Sequence, residues 1–186
     1  MKIEDFLRME YLFLALIVIC LVAMLFNSKS NISSIFSAQF KVFINNRRKR
    51  ISILDIFSFV VCPIVLSLVI CFWRGFVITK DLAQILTTAF SLIFTLLFAF
   101  QAILVGKKDS NNEVESKVIK QTFVSIVTAS VLSLISIILS AILMFTSNCI
   151  ATRIFTTLIL ALSFMTIMLL LMIIKRTFKV FTHDDK

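Results

Sequence analysis

Five apolar runs constrain this chain more than any other feature: Tyr11–Phe26, Ile53–Trp73, Leu82–Val105, Gln121–Phe145 and Thr152–Ile174. A helix crosses the hydrocarbon of a bilayer with about 20 apolar residues. Strands of a membrane barrel alternate apolar and polar residues instead, which these runs do not. With 60% hydrophobic residues, 2 Gly and 1 Pro, the chain is expected to be all-α, a single polytopic helical bundle embedded in a membrane. Five transmembrane helices are predicted, over 11–26, 53–73, 82–105, 121–145 and 152–174. The first run is the shortest. Its alternative is an interfacial or re-entrant N-terminal helix, which leaves four spans. The start, MKIEDFLRMEYLF, is acidic where a cleaved signal would be basic, so it reads as an uncleaved helix.

The distribution of charge predicts orientation. With five spans, Lys2, Arg8, Arg74, Lys80 and Arg153 share one side. The other side holds Lys29, Lys41, Arg47, Arg48, Lys49 and Arg50, then Lys107, Lys108, Lys117 and Lys120, then Lys175, Arg176, Lys179 and Lys186. The richer side is expected in the cytosol. The N-terminus is then periplasmic, the C-terminus cytosolic, and the membrane a bacterial inner membrane. The four-span version moves only the N-terminus. The net charge of +9 is read as this flanking charge, with no direct nucleic-acid binding expected.

Two runs carry polar stripes at helical spacing. Gln84, Thr88, Ser91, Thr95, Ala99 and Ala102 form one; Thr122, Ser125, Ala129, Ser133, Ser136 and Ser140 form the other. Small hydroxyl residues let membrane helices approach closely and bond to one another. Both stripes are therefore expected to be packing faces within the chain, with a homo-oligomer seam or a polar pore lining as the alternative. Opposite the first stripe stand Phe90, Phe94 and Phe98. Pro63 is expected to kink the second run. Asp55 is a possible polar site near the interface, with a local ion pair to the RRKR cluster as its plainer role.

The loop over 27–52 is the most informative polar segment. Ile32, Ile35, Phe36, Phe40 and Phe43 follow helical spacing, which predicts an amphipathic helix over 31–44 lying in the membrane interface. Arg47, Arg48, Lys49 and Arg50 follow it, and Lys107 and Lys108 stand in a later loop; both groups are candidate contacts for anionic lipid or for a cytosolic protein partner.

No phosphate loop, nucleophile elbow, H-E-x-x-H motif or metal-ligand spacing occurs. An enzyme is not expected, nor a cofactor or a metal. The favoured expectation is an oligomeric membrane protein that recruits a cytosolic partner. The alternatives are a pore-forming or membrane-disrupting effector, and a small transporter resting on Asp55 and Pro63.

The segment RRKRISILDIFSFVVCPIVLSLVI joins a basic loop to a Pro-bearing helix. Together with small size and four or more spans, it resembles the membrane subunit (KwaA) of the bacterial Kiwa anti-phage defence system. The likeness is one of architecture over the whole chain. It implies an oligomeric membrane sensor of phage attack, with the DNA-binding subunit KwaB docked on its cytosolic face. It carries no residue roles.

Overall fold

The computed structural model describes residues 32–42, 44–45, 50–51, 57–106, 113–146 and 149–181. The fold is helical, and the chain divides into two compact units, Met1–Ala38 and Gln39–Lys186. Helix α1 (Ile32–Val42) lies across that division. On it, Ile35 and Phe36 are half-buried, whereas Ser34, Ser37 and Phe40 are exposed. A two-residue antiparallel ladder follows, β1 (Ile44–Asn45) with β2 (Arg50–Ile51), and Asn45 stands opposite Arg50. The run 11–26 and residue Asp55 lie outside the described residues.

Helix α2 (Cys62–Leu68) is flanked by π-helical turns over Phe57–Val61 and Val69–Trp73. Pro63 stands in its first turn. Proline lacks the N–H and its ring crowds the carbonyl four residues earlier, here that of Phe59. The wider π turn moves that register before the ring arrives, a recognised way for a helix to absorb such an insult. The helix stops at Gly75, whose φ of 62° is left-handed. The Phe76 N–H then bonds the Ile70 carbonyl at 3.4 Å. That bond reaches one residue further back than an α-helical C-terminal motif would, as the preceding π turn requires.

Three longer helices follow: α3 (Lys80–Gly106), α4 (Glu113–Phe145) and α5 (Cys149–Phe181). Each is long and apolar enough to cross a membrane. The apolar helix Phe59–Trp73 is shorter. α4 extends to Glu113, before the apolar run, and α5 extends to Phe181, beyond it. Good helix formers such as Glu and Lys carry both past the apolar boundary. At 1.5 Å per residue each is about 50 Å long, against about 30 Å of hydrocarbon.

The packing order among the described residues is α3 on α4, α4 on α5 and α5 on α2. Half of the most apolar stretch of α4 is buried, against 28% in α5 and 11% in α3. α4 is thus the central helix, and α3 is attached by one side only. Replacing Gly75 by Ala should destabilise the detergent-solubilised protein by about 1 kcal/mol, read by thermal unfolding, and Asn should cost less. Nothing lies within 4 Å of a Cβ built there, so the loss would be conformational and not steric.

Candidate functional site

The two polar stripes have opposite fates. On α4, Thr122, Ser125, Ala129, Ser133, Ser136 and Ser140 are all buried. Their neighbours Thr128 and Ser130 are buried too. A hydroxyl in apolar surroundings must find an acceptor, and the nearest is the carbonyl one turn back. Ser125 donates to Gln121 O at 3.0 Å, Ser133 to Ala129 O at 2.9 Å and Ser136 to Leu132 O at 2.9 Å. Ser140 Oγ has no partner. Each satisfied serine is then little larger than alanine, and neighbouring helices come close on both sides of α4.

On α3 the expected packing face points outward. Gln84, Thr88, Ser91, Thr95, Ala99 and Ala102 are all exposed. Thr88, Ser91 and Thr95 also bond carbonyls one turn back, at 3.1, 2.8 and 2.9 Å. Among the described residues, no helix packs on this stripe. The contact with α4 is instead made by the opposite face, where Ala83, Phe90 and Leu97 are buried at seven-residue intervals. Leu86, Ile93, Phe94 and Leu104 are half-buried beside them. That face mixes one small and two large side chains, and α4 buries Ile126, Leu132 and Leu143 beside its serines, so small and large residues interleave on both helices.

Three polar ties went unread in the sequence. Gln101 Nε2 donates to Ser130 Oγ at 2.8 Å, joining α3 to α4. The Ile78 N–H donates to Thr156 Oγ1 at 3.2 Å, in a buried site that fixes residues 74–79 on α5. Arg176 Nη1 reaches from α5 to Gln121 O and Ser125 Oγ on α4, both at 3.3 Å. Spacing gave some notice of Gln101, which follows Leu97 by one turn on the heptad seam. Nothing in the sequence distinguished Arg176 from the other flanking cations.

Of the remaining expected site residues, Pro63 is buried, and Arg50 lies in β2 opposite Asn45. Arg47, Arg48, Lys49, Lys107, Lys108 and Asp55 lie outside the described residues. Phe94 and Phe98 stack at 6.2 Å along α3. Cys71 is buried and Cys62 exposed, both as free thiols. Among the described residues, no three His, Cys, Asp or Glu side chains come together.

Replacing Ser133 by Leu should overpack the centre of α4 and destabilise by about 1–3 kcal/mol. Ser91→Leu on α3 should stay within about 0.5 kcal/mol for the single chain. Denaturant titration in mixed micelles reads both. Ser130→Ala should cost about 0.6 kcal/mol, the usual worth of an interhelical hydrogen bond in a membrane. Comparisons with family models, with curated proteins and with solved structures returned no match.

Proposed function

We propose that this chain is a non-enzymatic inner-membrane protein that self-assembles through α3 and recruits a cytosolic partner to its basic loops. The supporting observation is the exposed face of Gln84, Thr88, Ser91, Thr95, Ala99 and Ala102. Turned to lipid, such a face gains nothing. Turned to the same face of a second copy, it allows close backbone approach and leaves hydroxyl lone pairs and the Gln84 amide free to bond across the seam. None of these residues packs against another helix of the chain among the described residues.

In this reading the membrane is crossed five times, by the three long helices, the helix ending at Trp73 and the run 11–26. The cationic loops face the cytosol, because Lys and Arg gather there by 14 to 5. Arg47, Arg48, Lys49, Arg50, Lys107 and Lys108 form the surface offered to a partner with an acidic face. The likeness to the Kiwa membrane subunit suggests what the assembly serves: sensing membrane perturbation during phage attack, with KwaB as the cytosolic partner.

The same face supports a second reading, a pore in which the α3 hydroxyls of several copies line water. In a cysteine-free background, Ser91→Cys and Thr95→Cys should each crosslink between copies, while Cys at Leu92 or Leu96 should not. Ser91→Leu with Ala99→Leu should reduce the oligomer to monomer on native gels. An oligomer that survives both changes would exclude α3 as the seam. Replacing the four residues 47–50 by Ser should leave the oligomer intact and abolish co-purification of the partner. Liposomes that release a small dye at high protein density would decide for the pore.

A further inference from the structure

We infer that the shared end of α4 and α5 is a binding site for the phosphate of an anionic phospholipid, held by Arg176 with Lys120 and Lys175 beside it. The guanidinium of Arg176 bridges the two helices, and both of its acceptors, the Gln121 carbonyl and the Ser125 hydroxyl, are neutral. Only Nη1 makes these bonds. Among the side chains described, which leave out those of Glu113 and Glu115, Nη2 and Nε have no acceptor and no carboxylate pairs with the charge. A cation at the edge of an apolar interior without a counter-ion is costly, and such groups pair wherever an anion is within reach.

Depth identifies the anion. Between Gln121 and Phe145, α4 runs for about 36 Å at 1.5 Å per residue. That exceeds the hydrocarbon thickness of about 30 Å only slightly, so Gln121 and the guanidinium bonded to it stand at the level of lipid headgroups. Lys120 and Lys175 adjoin Gln121 and Arg176 in sequence, are exposed, and make no ion pair among the described residues. A planar guanidinium presents two parallel N–H groups, which match two oxygens of a phosphate, while ammonium groups add point charge. Basic pockets between membrane helices on the cytosolic side are a recurrent setting for anionic headgroups. The site uses no residue of α3 and none of residues 47–50, so it stands or falls independently of the assembly proposed above.

The test uses the full-length protein in a mild non-ionic detergent, titrated with phosphatidylglycerol, phosphatidylcholine or inorganic phosphate. Phosphatidylglycerol should raise the melting temperature by several degrees, and the other two should not. Arg176→Gln should remove that rise. Lys120→Gln with Lys175→Gln, which leaves the interhelical bonds of Arg176 intact, should diminish it. Replacement of residues 47–50 by Ser should preserve it. Phosphatidylglycerol retained through purification, measured per protein after extraction, should fall several-fold in Arg176→Gln. A rise of equal size with inorganic phosphate would overturn the lipid assignment in favour of a soluble anion. An undiminished rise in the double lysine variant would overturn the proposed grip. Arg176→Gln that melts lower by the same amount in every lipid, yet still responds to phosphatidylglycerol, would leave Arg176 a tether between helices and end the proposal.

Discussion

A hydroxyl on a helix surrounded by hydrocarbon has only protein to bond with, and on α4 it bonds its own backbone. Ser125, Thr128, Ser130, Ser133 and Ser136 each donate to the carbonyl four residues earlier. This offsets the cost of burying them and leaves a face of small side chains between the buried Ile126, Leu132 and Leu143. Helices in lipid gain little from apolar contact, so close approach is what makes them associate. A helix with small side chains among its buried residues can take neighbours at close range. The central place of α4 between α3 and α5 follows from its serines, and the rest of the helix row follows from α4.

Close approach alone would let the helices slide. Polar ties set their register where α3 meets α4, where α4 meets α5, and where the segment after α2 meets α5. Gln101 and Ser130 fix α3 along α4, and Arg176 fixes α5 against α4 near the opposite end from Phe145. Thr156 fixes the segment that leaves α2, through the Ile78 N–H. Each tie is worth little net stability, yet a donor pulled from its acceptor in apolar surroundings loses the full bond. Slippage by one turn is therefore opposed even though the contacts themselves are permissive.

Helix type and the long apolar elements were legible because run length and composition report directly on whether a segment can cross hydrocarbon. The polar faces were legible as faces and not as contacts. Thr88, Ser91 and Thr95 carry the same spacing and chemistry as Ser125, Ser133 and Ser136, yet one set is exposed and the other buried. Periodicity says which residues share a side of a helix; what stands opposite depends on the neighbour. The heptad of Ala83, Phe90 and Leu97 was the better guide on α3, because residues seven apart share one side of a helix and these three are the buried ones. Pro63 was legible as a distortion, but the form it takes, a π turn ahead of the ring, depends on how the backbone shares the missing bond. Arg176 was hidden among flanking cations, since its role depends on a carbonyl 55 residues away.

The one-sided attachment of α3 links these points. A terminal helix in a row has most of its surface facing outward, and a chain that stopped at one copy would be expected to make that surface uniformly apolar. On α3, Leu92, Leu96, Phe98 and Ile103 meet that expectation. The stripe from Gln84 to Ala102 does not, and its hydroxyls use local carbonyls as those of α4 do. α4 shows within this same fold what such a surface accomplishes: it admits a neighbouring helix at short range. The exposed side of α3 repeats that surface where the chain has no helix left to place against it among the described residues. That repetition of the α4 surface is the ground on which we propose a second copy of the chain as its neighbour.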